Sequence, residues 1–134
     1  MIRATDTAYA LAEAPRWDAS RRRLLWVDII GGAVLEGALR GNGTIALTAT
    51  HQFDCMVGAL AFADDGTLLV AAQTHLVVEA PDGSRTEGPR VVPEGERRRM
   101  NDGAVDPDGR FLVGHPGARW QIRVRTARTS RAGW

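Results

Sequence analysis

The sequence predicts an all-β protein whose short strands are arranged like the blades of a β-propeller. Three features support this prediction: short apolar runs, turn-forming dipeptides between them, and a repeated unit. No stretch of about 11 residues or more keeps the apolar period of an amphipathic helix. With 44% hydrophobic and 25% charged residues, the chain has the composition of an ordinary folded domain.

The apolar runs have the length of short strands. Asn-Gly and Asp-Gly dipeptides lie among them and favour tight hairpins, because both central residues of a type I′ turn need positive φ. Several runs are apolar at successive positions, so both faces of those strands must be covered, as in stacked propeller blades. The runs are 24–27, 58–63, 68–72, 76–78 and 111–113, and the dipeptides are Asn42-Gly43, Asp65-Gly66, Asp82-Gly83, Asp102-Gly103 and Asp108-Gly109.

The repeated unit combines a turn with an apolar strand. Equivalent positions are Leu24, Leu68 and Phe111, which are 44 and 43 residues apart. A period of about 40–45 residues is typical of propeller blades. Chance resemblance among three hairpins is the alternative, and the near-equal spacing argues against it. Three units do not close a ring of about 4–8 blades, so we expect a bare sheet face, with Phe111 and Val113 exposed, and self-association.

Charge and composition exclude several classes of protein. The segment 1–118 is net acidic, with 12 arginines and 16 acidic residues, whereas 119–134 holds five arginines and no acidic residue. An acidic body gives no reason to expect nucleic acid as a partner. No apolar run approaches the roughly 20 residues that cross a bilayer, so no membrane association is expected. A single cysteine, Cys55, excludes an internal disulfide and favours a cytoplasmic location.

Two motifs give the chain a family resemblance. Residues 11–18, Leu-Ala-Glu-Ala-Pro-Arg-Trp-Asp, are followed at 24–29 by Leu-Leu-Trp-Val-Asp-Ile, and Arg-Met-Asn-Asp-Gly at 99–103 is followed by Asp-Pro-Asp-Gly-Arg at 106–110. Both motifs, and a lesser one at 57–60, resemble the senescence-marker-protein/gluconolactonase (regucalcin-like) family in the same order and at the same separation. The resemblance implies the N-terminal blades of a six-bladed β-propeller, truncated before the ring closes.

The resemblance covers about Leu11 to Gly114, with some departures. Ala14 stands where the family usually has Gly, and His115-Pro116 replaces small polar residues. We divide the chain into a partial propeller, residues 1–117, and an Arg-rich tail, residues 118–134, that has no family resemblance or continuing strand pattern. The tail is expected to pack poorly. A frame-shifted reading of a GC-rich gene is one hypothesis for its composition.

The resemblance also implies a metal-dependent lactonase and gives roles to three residues. Glu13 matches the family's first metal ligand; calcium is the expected ion, with zinc, manganese or magnesium as alternatives. Arg99 and Asn101 match the substrate-contacting pair, and on an extended segment their side chains point to one side. The expected substrate is a small-molecule sugar lactone. In the family, an Asn and an Asp from later blades complete the metal site, and the Asp is the base. Nothing here matches them, so no catalytic residue is assigned and the chain alone is expected to be an inactive fragment.

Other interpretations stay open. Glu13 can be a solvated charge at the start of a strand, and the arginines at 97–99 can belong to a solvated turn. A non-catalytic β-propeller binding module is the alternative function, and nucleic-acid binding by the Arg-rich tail ranks third. The aspartates at 102, 106 and 108 lack the glutamate of an EF-hand loop and are interpreted as turn residues. The three histidines, His51, His75 and His115, have no metal-ligand spacing and receive no role.

Overall fold

The computed structural model describes residues 3–114 and, for their backbone only, residues 122–125. These residues form eleven strands and no helix, which confirms the all-β prediction. The strands are β1 (Ala12–Asp18), β2 (Arg23–Asp28), β3 (Ala33–Leu39), β4 (Ile45–Gln52), β5 (Val57–Phe62), β6 (Leu68–Ala72), β7 (His75–Glu79), β8 (Arg85–Arg90), β9 (Asp102–Val105), β10 (Arg110–Gly114) and β11 (Ile122–Arg125). Among the described residues there is accordingly no helix long and apolar enough to span a bilayer.

The strands form three antiparallel meanders that follow the chain. The first sheet has the order β1-β2-β3-β4, the second β5-β6-β7-β8, and the third β9-β10-β11. Every neighbour in a sheet is also a neighbour in sequence, and short turns join the strands whose connections are described. This is the arrangement of successive propeller blades.

The sheets stack through two apolar cores, and strand β6 contributes to both. Leu68 and Val70 pack into the first core, between the first and second sheets, whereas Leu69 and Ala71 pack into the second core, between the second and third sheets. Successive residues of a strand point to opposite faces. The continuous apolar run at 68–72 therefore marks a strand covered on both sides, as the sequence predicts.

The hairpin turns differ from the predicted type I′ geometry. In the turn at 63–67, Ala63 N donates to Thr67 O (2.9 Å) and Gly66 N donates to Ala63 O (3.0 Å). Gly66 has φ of +92°, while Asp65 is not among the residues with positive φ. These are three-residue loops closed by a left-handed glycine, and the same pattern recurs at 40–44, 80–84 and 106–110. The aspartate side chain accepts from the backbone two residues on, as Asp65 Oδ1 does from Thr67 N (2.9 Å).

The dipeptide Asp102-Gly103 is not a turn but the start of β9. Glycine is required there for a different reason. A Cβ at Gly103 would lie 2.9 Å from the ring of Phe111 and 3.0 Å from Cβ of Ala59. The residue therefore allows the third sheet to approach the second, and the turn interpretation of this dipeptide is wrong.

The expectation that Phe111 and Val113 lie on an exposed apolar face is wrong. Phe111 and Val113 are buried against the second sheet, with 0% and 2% exposure, because the second core reaches them. The face of the first sheet that carries Trp26, which we call the first-sheet outer face, is only partly covered: Trp26 is buried, whereas Trp17 and Leu47 are 44% and 50% exposed. Residues 3–10, the N-terminal strap, contact it: the Tyr9 ring meets that of Trp26 edge-on at 5.7 Å, and Ile45 N donates to Ala4 O (2.7 Å).

The third sheet includes a strand in the segment for which the sequence predicts no strand pattern. The backbone of β11 pairs with β10 from Arg110↔Arg125 to Val113↔Ile122. Residues 122–125 alternate apolar and charged residues over one short stretch, too short for periodicity to identify a strand. The other residues of the tail, including Trp120 and Trp134, lie outside the described residues, and the boundary at 117 stays a prediction.

Candidate functional site

Glu13 lies on β1 beside a backbone irregularity. The register with β2 runs Glu13↔Val27 and then Arg16↔Leu25, so β1 carries one extra residue. The extra residue makes a β-bulge, which bends the strand and redirects its side chains. Ala14, directly after Glu13, has φ of +51°, a left-handed conformation that favours glycine. The glycine that is usual in the family at this position suits a left-handed backbone. Ala14 adopts that conformation even though it has a Cβ.

Asp28 fixes the chain that leads to Glu13. Its carboxylate accepts hydrogen bonds from the backbone N of Ala10 (3.0 Å), Leu11 (2.9 Å) and Gly31 (3.1 Å). Burial acts to raise the pKa of Asp28, but the three backbone donors outweigh it, so the pKa lies below its usual value. Asp28 belongs to the Trp-Val-Asp-Ile segment at 26–29, but no local pattern of residues indicates this positioning role.

Asn101 comes directly before β9 and is held on both sides by backbone bonds. Its own N donates to Gly114 O (3.0 Å), and Met100 N donates to Gln73 O (2.9 Å). Met100 is fully buried in the second core. Arg99 lies on the same side as Asn101, and Nη1 of Arg99 donates to Oδ1 of Asn101 (2.5 Å). The alternation expected for an extended segment is therefore observed at 99–101.

Glycine at position 58 permits this arrangement. A Cβ built on Gly58, in β5, would lie 2.6 Å from the carbonyl carbon of Met100 and 3.0 Å from the backbone N of Asn101. No real Cβ approaches backbone atoms so closely. Gly58 therefore lets the segment that carries Asn101 lie directly on β5, an edge strand of the second sheet.

One pocket, of about 170 Å³, brings residues of the first and third sheets together. It is lined by Leu11, Glu13, Ala14, Ile29, Asn101 and Asp102. Two of the three predicted site residues, Glu13 and Asn101, thus share one pocket, and Arg99 is joined to it through its bond to Asn101. A further link between these sheets is the hydrogen bond from the Arg16 guanidinium to the carbonyl of Gly103.

The pocket contains oxygen donors of the kind that a calcium ion takes, but too few of them. Glu13 and Asp102 offer carboxylates and Asn101 an amide oxygen, whereas calcium is held by about 6–8 oxygens. The amide oxygen of Asn101 is also engaged by Arg99. Within the described part of the chain, no group of three or more His, Cys, Asp or Glu side chains is arranged to hold a metal ion. These residues alone do not complete a metal site.

The aspartate turn at 106–110 is likewise structural. Asp106 Oδ1 accepts from the backbone N of Asp108 and of Arg110, both at 2.9 Å. Arg110 Nε also donates to Asp106 Oδ2 (2.6 Å). These bonds close the β9–β10 hairpin, which agrees with the interpretation of these residues as turn formers.

Comparisons with known proteins agree with this arrangement. A family model described as the SMP-30/Gluconolactonase/LRE-like region matches residues 11–124. The chain is 32% identical to regucalcin from Xenopus laevis over 107 residues, which is 79% of this chain and 34% of that protein. It is also 32% identical to pentonolactonase XacC from Haloferax volcanii over 119 residues, 85% of this chain and 37% of that protein. A third relative, 6-deoxy-6-sulfogluconolactonase from Pseudomonas putida, is 30% identical over 116 residues, 86% of this chain and 38% of that protein.

Solved structures give the same result for the fold. The calcium-binding protein regucalcin from Agrobacterium tumefaciens superposes with a TM-score of 0.70 at 25% identity, over 81% of this chain and 36% of that one. A luciferin-regenerating enzyme superposes with a TM-score of 0.67 at 21% identity, over 80% and 36%, which supports the fold alone. The predicted propeller-type fold is thereby confirmed. The chain spans between a third and two fifths of the length of the curated relatives it matches.

Proposed function

Because the chain belongs to the SMP-30/Gluconolactonase/LRE-like family, we propose that it carries part of the site of a divalent-metal-dependent enzyme that hydrolyses sugar lactones. Several of its relatives are named as lactonases. The observation that most supports the proposal is the pocket shared by Glu13 and Asn101. A scaffold that only binds another macromolecule has no need for these two residues to meet.

In this proposal Glu13 contributes one carboxylate oxygen to a divalent cation. Calcium is the first candidate, because the relative from Agrobacterium tumefaciens is described as calcium-binding; zinc, manganese and magnesium are the alternatives. When bound, such an ion polarises a carbonyl oxygen of the substrate and acidifies a bound water. The chain matches only about a third of the length of its relatives. In this proposal the remaining metal ligands and the catalytic base lie in the part of the family fold that the chain does not match.

Arg99 and Asn101 would hold the lactone. The bond from Arg99 occupies the amide oxygen of Asn101, so the amide NH₂ of Asn101 is the group offered to the substrate. An NH₂ group donates two hydrogen bonds, which suits the ring carbonyl or the hydroxyls of a sugar lactone. Arg99 adds further donors and a positive charge that favours oxygen-rich substrates.

A graft into a longer relative tests the proposal. Residues 11–114 would replace the matching segment of the Haloferax volcanii pentonolactonase, and lactone opening would be followed by acid release with the spontaneous rate subtracted. We expect metal-dependent turnover, with Glu13→Gln or Asn101→Ala lowering kcat/KM by about 100-fold or more. Glu87→Gln is the matched control, because Glu87 is 71% exposed in β8, away from the pocket.

The outcomes separate the proposed function from its alternative. Turnover that ignores Glu13→Gln would contradict the assigned metal ligand. Lactone binding to the 134-residue chain, seen as a shift of the Asn101 side-chain amide signal by NMR, without turnover in any graft would favour the non-catalytic binding module.

A further inference from the structure

A second charged cluster joins the first and second sheets, away from the Glu13 pocket. It consists of Glu36 on β3, His51 on β4 and Glu79 on β7, with Arg21 and Arg85 at its two ends. We call it the rim cluster. Glu36 and Glu79 are buried, with 8% and 3% exposure, so their charges need partners within the protein.

His51 lies between the two carboxylates and contacts both. Its Nε2 is 3.2 Å from Oε1 of Glu36, on the first sheet, and its Nδ1 is hydrogen-bonded to Oε1 of Glu79, on the second. A neutral imidazole has one N–H and one acceptor nitrogen, whereas the imidazolium has two N–H donors. Only the protonated ring can therefore donate to both carboxylates at once. A neutral ring would set a lone pair against one of them.

The other charged side chains around His51 already form ion pairs with one another. The second oxygen of Glu79 accepts from Arg85 Nε (2.7 Å), and that of Glu36 lies 3.7 Å from Arg21 Nη1. Arg21 in turn binds Asp18 (2.5 Å), and Arg23 adds a more distant positive charge near Glu36. With His51 protonated, the carboxylates of Glu36, Glu79 and Asp18 are balanced by His51, Arg21 and Arg85. With His51 neutral, one of these carboxylates loses its nearest positive partner, and the more distant Arg23 offsets the charge of Glu36 only in part.

The direction of titration agrees with this geometry. The hydrogen bond to Glu36 raises the pKa of His51; burial opposes the rise, and Glu79 adds to it. The same hydrogen bond lowers the pKa of Glu36 against the effect of burial. Each group thus favours the charged form of the other.

We propose that His51 is a pH-sensitive clamp, which joins the first and second sheets while its ring is protonated and releases the Glu36–Glu79 bridge when the ring loses its proton. The proposal does not depend on the lactonase function. The first core holds the two sheets together in either state. So does Arg85, which donates to the carbonyl of Gln52 (2.7 Å) and lies over the ring of Phe53 (3.9 Å). Deprotonation therefore loosens the junction without removing it.

The sign of the effect follows from linkage. A histidine whose folded pKa is raised contributes stability that is complete below its usual pKa of 6.5 and is lost as pH rises through the folded value. Glu36, whose pKa is lowered, contributes stability that is complete above its usual value of 4.5 and is lost as pH falls through the folded value. The clamp therefore contributes most to the stability of the fold between about pH 4.5 and about pH 6.5.

Thermal melting of the 134-residue chain and of His51→Gln tests the clamp. We expect His51→Gln to lower Tm by about 5 °C at about pH 6, and by less than half as much at about pH 9. His75→Gln is the matched control. His75 is 22% exposed, as His51 is, but its partner Glu87 lies 3.7 Å away and is 71% exposed. We expect the Tm loss in His51→Gln at about pH 6 to exceed that in His75→Gln.

A titration of the histidine ring protons by NMR gives a second measurement that needs no cooperative melt. We expect the midpoint of His51 above 6.5 and a lower midpoint in Glu79→Gln. A His51 midpoint at or below 6.5, a midpoint unaffected by Glu79→Gln, or a Tm loss in His51→Gln that is equal at both pH values would each overturn the clamp.

Discussion

Glu13, at the start of the first sheet, and Asn101, directly before the third, line the same pocket although the whole second sheet separates them in sequence. They meet because Gly58 lets the segment carrying Asn101 lie on β5, and because a bulge after Glu13 redirects β1. Two local backbone features thus assemble the pocket, and each can be tested separately.

The 134-residue chain by itself is expected to open no lactone above the spontaneous rate, with calcium, zinc or manganese added. The pocket offers the oxygens of Glu13, Asn101 and Asp102, fewer than the about 6–8 that hold calcium. Acid release from gluconolactone at fixed pH measures the rate. Turnover that depends on added metal would mean that the 134-residue chain holds a complete site.

Replacing Ala14 by glycine should stabilise the fold. A left-handed conformation costs a non-glycine residue about 1–2 kcal/mol, and the extra freedom of glycine in the unfolded chain costs about 0.5–1 kcal/mol. Ala14→Gly should therefore raise the free energy of unfolding by about 0.5 kcal/mol. Ala12→Gly, on the same strand at an ordinary φ, should lower it. Equal losses in both variants, measured by urea denaturation, would show that Ala14 is not strained.

A methyl group at position 58 should disrupt the junction of the second and third sheets. The added Cβ would meet the backbone of Met100 and Asn101, which cannot move aside as a flexible side chain can. We expect Gly58→Ala to lower the free energy of unfolding by about 2 kcal/mol or more and to shift the side-chain amide signal of Asn101. Gly41→Ala is the control, because no atom lies within 4 Å of its added Cβ. Similar midpoints of urea denaturation for Gly58→Ala and Gly41→Ala would contradict the close approach of Met100 and Asn101 to Gly58.

The first-sheet outer face should drive weak self-association. Trp17 and Leu47 are 44% and 50% exposed on this face. Trp17 pairs with Leu24 across the strands, and Leu47 pairs with Gly37. The Trp26 ring lies close to the position of Gly37. Trp17→Ser with Leu47→Ser should weaken self-association by about 10-fold or more, measured by sedimentation. Ile30→Ser is the control, since Ile30 is 62% exposed but lies in the turn after β2. If Ile30→Ser weakened self-association as much as the Trp17→Ser, Leu47→Ser double variant, the first-sheet outer face would not be the surface that self-associates.

Several features of the fold were predictable because they are local. Apolar residues at successive positions in 68–72 predict a strand covered on both faces, and β6 is buried on both. The glycines at 43, 66, 83 and 109 predict hairpin turns, and each has positive φ in such a turn. The type of turn was not predictable in the same way. The aspartate or asparagine before each glycine keeps negative φ, because the strands are joined by three-residue loops with a glycine bulge.

The sequence by itself determined the apolar strands and the three repeated units, because apolar runs and spacing depend on neighbours along the chain. Glu13, Arg99 and Asn101 became candidates through the family resemblance of the motifs that contain them. Only the tertiary structure decided that Glu13 and Asn101 share a pocket, that Phe111 is buried by the second sheet, and that His51 joins Glu36 to Glu79. Each of these contacts links residues from different sheets. Their partners are fixed by how the sheets stack, which no local pattern of residues encodes.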